Sequence, residues 1–377
     1  VKKSIIAVAG AAAVALTLAA CGTPTDEATT GGSSETSASE DGSETSAAPT
    51  GDVVDGFKAC MVSDQGGYDD QSFNQSGKEG MDRAADELGV ETNEIESTSD
   101  SDYGPNIDSL IADGCTYIIG VGFLLEPAIQ SAAEANTDIQ FGLIDSSLSN
   151  DDFSPLELPN VKPLLFNTAE ASFLAGYLAA GISESGTVGT FGGLPIPSVQ
   201  IFMDGYADGI AKYNEDNGTD VSLLGWDKEA QTGSFTGDFE NQANGTTTAQ
   251  GFIDQGADVI MPVAGPVGLG AATAIEGGGA TMIWVDSDGF NSTDYGDIIA
   301  TSVMKEIGQA VFDSISEAST GSFDATPYVG TLENEGVGLA EFHDFADSVP
   351  QELQDKIAEY RDQIIAGDLV VESVNTP

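Results

Sequence analysis

From Phe57 onward, short runs of strand-forming apolar residues alternate with helix-length amphipathic segments. That alternation predicts parallel sheets joined by crossover helices, because parallel neighbours need a connection about as long as a helix. Phe57–Val62 reads as the first strand, and the spacing of Met81, Ala84, Ala85 and Leu88 predicts a helix over Gly77–Leu88, with Gly89 where it stops. Ile107–Ala112, Thr116–Val121, Pro127–Ala135 and Gln140–Ile144 continue the series. A second set follows. Its helices are Ala169–Ile182, Val199–Asn214, Gln242–Gln255 and Leu269–Glu276, and its strands are Thr187–Phe191, Val221–Trp226, Val259–Val263 and Met282–Asp286. The periodic part runs for roughly 320 residues, more than one core usually holds, so the expected fold class is α/β with two doubly wound Rossmann-like lobes.

Ligands of such sheets bind beyond the carboxyl ends of the strands. The loops at those ends are rich in carboxylates and amides. The first strand exits into Ser63-Asp64-Gln65-Gly66-Gly67-Tyr68-Asp69-Asp70-Gln71-Ser72-Phe73-Asn74-Gln75, and Gln140–Ile144 exits into Asp145-Ser146-Ser147. Later strands end at Asp227 ahead of Thr232-Gly233-Ser234-Phe235, at Ala264-Gly265-Pro266, and at Asp286-Ser287-Asp288. This chemistry suits a flat, neutral, hydroxyl-rich ligand: aromatic rings stack on a heterocycle and buried acceptors hold its hydroxyl or N–H groups. Val263-Ala264-Gly265-Pro266-Val267-Gly268-Leu269-Gly270 reads as a tight strand-to-helix turn. It lacks the Gly-Lys-Ser/Thr ending of a phosphate-binding loop and the G-x-G-x-x-G order. The adjacent carboxylates Asp69 and Asp70 read as structural, since neighbouring side chains in a turn diverge.

In this order the motifs resemble the BMP family, named for basic membrane protein, whose members are purine-nucleoside-binding lipoproteins that feed ABC importers. The resemblance runs from about residue 57 to 345. Its most specific part is Ser63-Asp64-Gln65-Gly66-Gly67 leading through Asp70 to Ser72-Phe73-Asn74-Gln75. Ala169–Ala180, Phe191-Gly192-Gly193, Phe202-Met203-Asp204-Gly205-Tyr206, Gly233-Ser234-Phe235, Val263-Ala264-Gly265, Val285-Asp286-Ser287-Asp288, and Ser302 with Lys305 before Val311 are similar as well. The resemblance implies a type I periplasmic-binding-protein fold, two lobes joined by a three-strand hinge. An N-terminal lobe over 56–167 plus 290–325 and a C-terminal lobe over 168–289 plus 326–377 are expected. It also implies that Phe73 and Phe235 sandwich a purine, that Asp64, Asn74 and Asp145 bond base or sugar, that Gly265 lines the pocket by its backbone, and that Asp286 with Lys305 holds the ribose hydroxyls. Two positions depart from the pattern: Gly289 follows Asp288 where the family often has Gln, and Thr236-Gly237-Asp238-Phe239 replaces a basic helix start.

The N-terminus adds an address. Residues 1–20 combine Lys2 and Lys3 with an apolar run of about 15 residues, short of the roughly 20 that span a bilayer, and Leu18-Ala19-Ala20-Cys21-Gly22 suits lipoprotein processing. Lipidation of Cys21 is therefore expected, with residues 21–55 as a disordered polar tether and the protein held on the extracytoplasmic face of the cell membrane. A formal net charge of −51 repels nucleic acid and anionic lipid, so no nucleic-acid partner is expected. Cys60 and Cys115 each begin a strand-like run and read as buried thiols, a bridge between neighbouring strands being the alternative. His343, the one histidine, reads as a surface residue, and neither a zinc pattern nor a nucleophile elbow accompanies it.

The expected function is capture of a purine nucleoside (adenosine, guanosine or inosine) by a monomeric solute-binding protein that docks on an ABC permease. No cofactor, metal or catalysis is expected. A sugar, an autoinducer-like compound or a pyrimidine nucleoside stands as an alternative ligand, and a nucleoside hydrolase using Asp64, Asp69 and Asp70 as a competing class. A phosphorylase would want an arginine-rich phosphate site, whereas the chain has only Arg83 and Arg361.

Overall fold

A computed structural model describes residues 51–377 apart from positions 151 and 153; the signal segment, Cys21 and most of the expected tether lie outside the described residues. Chain order in the first part is β1 (Lys58–Ser63), α1 (Phe73–Leu88), β2 (Glu91–Ile95), α2 (Tyr103–Ala112), β3 (Tyr117–Val121), α3 (Glu126–Ala135), β4 (Gln140–Ile144) and β5 (Val161–Phe166). The second part runs α4 (Thr168–Ile182), β6 (Thr187–Gly192), α5 (Pro197–Asn217), β7 (Ser222–Leu224), β8 (Trp226–Asp227), β9 (Thr232–Gly233), α6 (Gln242–Ile253), β10 (Val259–Val263), α7 (Pro266–Gly278), β11 (Thr281–Asp286), α8 (Gly289–Ser292) and β12 (Ile299–Lys305). Then come α9 (Ile307–Ser319), β13 (Tyr328–Gly330), β14 (Val337–Leu339) and α10 (Gln351–Ile365).

Two six-stranded sheets result, in the orders β13-β5-β4-β3-β1-β2 and β14-β12-β11-β10-β6-β7. Every pairing in them is parallel except β12 with β14. The chain passes between the sheets three times: at Asn167, at Glu306, and through the 331–336 loop. This is the type I periplasmic arrangement with its three-segment hinge.

The sheet assignments correct the expected lobe boundaries. β12, expected with the N-terminal lobe, lies in the second sheet beside β11, and β13, expected with the C-terminal lobe, extends the first sheet beside β5. The return to the first lobe thus falls at Glu306, after which α9 packs on α1. A break after Gly289 separates β11 from β12, whereas the pairing of those two strands keeps them in one sheet.

The central strands are buried on both faces, which explains their continuous apolar runs. Cys60, Val62, Ile118 and Phe141 pack beneath Ile107, Leu110 and Ile129, and Phe191, Ile260, Met282 and Trp284 pack beneath Phe252, Ala271 and Ile275. The opposite faces share one core, from Met61 and Ile144 through Phe166 and Phe312 to Val285 and Val303. Every residue of α4 from Thr168 to Ala180 is buried except Glu170. Its backbone touches that of α5, because a Cβ at Gly205 or Gly209 would overlap the backbone of Ala169 or Phe173. Cys60 and Cys115 are joined, with Cα atoms 5.9 Å apart, so the bridge and not a pair of free thiols is present. Among the described residues no helix is long and apolar enough to cross a membrane.

Candidate ligand-binding site

The carboxyl ends of β1, β3 and β4 face those of β10, β11 and β12 across a cavity holding about 510 Å³ of empty space, its mouth included. Seven of the residues expected to bind ligand line it: Asp64, Phe73, Asn74, Asp145, Gly265, Asp286 and Lys305.

The first lobe contributes a polar wall. The backbone N–H of Asp64 donates to the Val121 carbonyl at 3.2 Å, and its carboxylate rests on Gly122, where any Cβ would overlap it. Asn74 Nδ2 donates to Asp64 Oδ1 at 3.3 Å and to the Gln65 carbonyl at 3.1 Å, which leaves the buried Asn74 Oδ1 without a partner. Burial pushes the Asp64 carboxyl well above the usual range; Asp70 and Asp145 add to the rise and Asn74 opposes it.

Asp70 has a positioning role. Its carboxylate accepts the backbone N–H groups of Ser72, Asn74 and Gln75 at 3.0, 2.8 and 2.9 Å. These are orphan donors of the first turn of α1, so the helix begins at Phe73, one turn before the expected Gly77. That turn aims Phe73 and Asn74 into the cavity. Burial raises the Asp70 carboxyl to about 6 against the pull of those three N–H groups.

On the cavity lining the two lobes meet in a buried charge cluster. Lys305 Nζ donates to Asp145 Oδ2 across the lobes and lies 3.7 Å from Asp286 Oδ1. Asp286 Oδ2 accepts from Ser72 Oγ at 2.9 Å. Burial pushes both carboxyls up while Lys305 pulls them down. Each aspartate ends a central strand with a left-handed backbone, φ 64° at Asp145 and 70° at Asp286. For a residue with a Cβ that conformation costs about 1–2 kcal/mol, so the turn is held by its surroundings. Rings surround the ammonium: Phe73, Phe166 and Phe202 have centroids 4.6, 5.3 and 5.6 Å from Nζ.

The second lobe contributes backbone and apolar surface. Gly265, at φ 50° before α7, exposes its main chain to the cavity, flanked by Val263, Ala264 and Pro266. Ile196, Val199 and Phe202 complete this wall. Phe235 is not part of it. Its backbone bridges to Gly192, and its ring packs edge-on against Trp226 at 6.1 Å, over the space that a Gly192 side chain would need. Phe239 lines the cavity instead, packed against Gly193, where a Cβ would overlap its ring. The signal was present in the sequence, since Phe239 sits in the Thr236–Phe239 segment that departs from the family pattern. Phe123, Phe202 and Ser198 also line the cavity without having been singled out as ligand contacts.

His343 is not a free surface residue. Its Nε2 lies 2.9 Å from Asp288 Oδ2 and its ring stacks on Phe290 at 4.1 Å. Among the described residues no cluster of three or more His, Cys, Asp or Glu side chains is placed to hold a metal ion. What the cavity offers is hydrogen-bond acceptors, one cation already paired with carboxylates, and aromatic faces.

Comparison with known proteins agrees with this geometry. The nucleoside-binding protein BmpA of an ABC transporter in Lactococcus lactis is 29% identical over 86% of this chain and 91% of its own. A protein named as a lipoprotein in Pyrococcus abyssi is 29% identical over 82% of this chain and 78% of its own. The crystal structure of an ABC transporter solute-binding protein from Aeropyrum pernix superposes with a TM-score of 0.72 at 25% identity, covering 84% of this chain and 94% of that one. The sequence model of the PnrA-like ABC transporter substrate-binding proteins, the Bmp family, matches residues 57–373, and the chain belongs to that family.

Proposed function

We propose that this protein captures a purine nucleoside such as adenosine, guanosine or inosine and presents it to the permease of an ABC importer, acting as a monomer from the outer face of a membrane to which a lipid on Cys21 tethers it. The observation that carries the ligand class is the Lys305–Asp145–Asp286 cluster, one carboxylate from each lobe about a single ammonium, set on the lining of a cavity with Phe73 and Phe239 in its walls. Vicinal hydroxyls can bond to such a cluster, while a purine lies between the rings and meets Asp64 and the unpaired Asn74 Oδ1. The name of the Lactococcus relative and the lipoprotein name of the Pyrococcus relative point the same way.

Closure follows from contacts that only joined lobes can make. Ser72 Oγ donates to the Val285 carbonyl at 3.1 Å, and Ser287 and Ser292 donate to the Gln71 carbonyl at 2.9 and 3.1 Å. A ligand touching both walls shifts the population toward this state, and the closed outer surface is what a permease reads. Isothermal titration with adenosine, guanosine, inosine, cytidine and ribose, with free base assayed in the same mixtures, tests the reading. Heat from purine nucleosides with no base released is expected. Released base would make the protein a hydrolase, and heat from ribose or cytidine alone would move the ligand to another class.

A further inference from the structure

Beside the ligand cavity lies a second, wider one, and Phe123, Asp145 and Ser198 form the wall common to both. Most of its remaining exposed surface is apolar, with Leu165, Phe166 and Ile201 together, while Glu126, Ser146, Ser149 and Asn375 form a polar part. Thr168 lines it too, 1% exposed, and its hydroxyl has no hydrogen-bond partner among the described residues. A buried unsatisfied hydroxyl beside an apolar space favours an occupant that is mainly apolar and carries one polar atom.

The charges limit that occupant further. Asp64, Asp70, Asp145, Asp286 and Glu126 stand around the two cavities, and the single cation in either lining is Lys305. Lys305 is bonded to Asp145 and held near Asp286. A phosphate ester carries a charge of about −1.5 to −2 at neutral pH and would meet carboxylates with no uncommitted cation to offset them.

Resting on the nucleoside reading above, and on Asp145 and Lys305 marking the sugar end, we propose that the site takes nucleosides bearing a small uncharged 5′ substituent, received by the side cavity past Asp145, and rejects the 5′-phosphates. The sugar hydroxyls bond to the charge cluster and the substituent rests against Leu165, Phe166 and Ile201. A thioether sulfur or ether oxygen in it can accept from the Thr168 hydroxyl.

The test is calorimetric titration of the purified protein with adenosine, inosine and guanosine, each beside its 5′-monophosphate and its 5′-deoxy-5′-methylthio derivative. For a parent that binds, the methylthio derivative is expected within tenfold of the parent and the monophosphate more than tenfold weaker. A methylthio derivative more than tenfold weaker, or a monophosphate within tenfold, overturns the proposal while leaving the nucleoside reading intact. Silence from all three parents overturns the nucleoside reading itself, and this proposal with it. Ser147→Trp places a ring in the side cavity from an exposed position. It is expected to weaken the methylthio derivative at least tenfold with the parent unchanged; equal effects on both, or none, would mean that the substituent does not lie there.

Discussion

The two walls of the cavity are built from different materials. The first lobe supplies carboxylates and an amide, Asp64, Asn74 and Asp145, fixed by the Asp70 cap and by the Gly122 cradle. The second supplies mainly surface, with Ile196, Val199, Phe202, Phe239 and the bare backbone of Gly265. The first lobe is also the one with a covalent staple, between β1 and the residue that leads into β3. The contrast teaches that hydrogen-bond recognition and enclosure are separated by lobe. Asp286 and Lys305 are the exceptions: both belong to the second sheet, and Lys305 couples the lobes because it bonds a carboxylate of the first.

Removing that coupling should give the largest effect. Lys305→Met leaves Asp145 and Asp286 buried without their cation, a situation that costs about 3–5 kcal/mol. Denaturant unfolding should register the loss and calorimetry should show nucleoside binding abolished; stability within 1 kcal/mol of wild type would mean that the lobes are not joined energetically at this point.

Next comes the asymmetric staple. Replacing both Cys60 and Cys115 by Ala should lower stability by about 2–4 kcal/mol, since the bridge restricts the unfolded chain over a separation of 55 residues. Hydrogen exchange should rise in β1 and β3 more than in β6 and β10. Equal acceleration in both sheets would show that the lobes unfold as one unit.

Aromatic substitutions sharpen the contrast within the second wall. Phe239→Ala should weaken nucleoside binding by about 1–3 kcal/mol, the scale of a lost base stack. Phe235→Ala, which removes the edge contact with Trp226, should lower the melting temperature and leave affinity unchanged. The reverse pattern would restore Phe235 to the pocket.

A last effect concerns pH. The folded-state pKa of Asp70, about 6, lies above its unfolded value near 3.8. Its contribution to stability is therefore full below about pH 3.8 and is lost as pH rises through 6. Wild type should gain stability relative to Asp70→Asn between pH 7 and pH 4, and parallel melting curves for the two would refute the buried-carboxyl account. The comparison with the variant matters because acidification also relieves repulsion across a chain of net charge −51.

Much of the fold was legible because the central strands are buried on both faces and so appear as apolar runs. Segments without that signature are not legible as strands in the sequence. Glu91–Ile95 is an edge strand, polar at four of its five residues and partly exposed, Val161–Phe166 carries a proline, and Ile299–Lys305 includes a threonine, a serine and a lysine. The last two flank crossings between the sheets, so the lobe boundary depends on strands that carry no apolar signature. Within the site, the first-lobe residues Asp64, Phe73 and Asn74 fall in one continuous motif, and Asp145 stands at the end of an apolar strand run. Phe235 and Phe239 lie four residues apart in one loop, and which ring faces the cavity depends on how Gly192 and Gly193 receive them.

The order of residues alone determined two parallel α/β lobes, strand ends rich in acceptors, and the family to which the chain belongs. These are consequences of local periodicity and of motifs read along one chain. Tertiary structure alone decided that Cys60 meets Cys115, that Phe239 and not Phe235 lines the cavity, and that Lys305 of one sheet pairs with Asp145 of the other. Each of these depends on distances between segments far apart in sequence or on the packing of one ring against a bare backbone, and neither quantity has a periodicity to read.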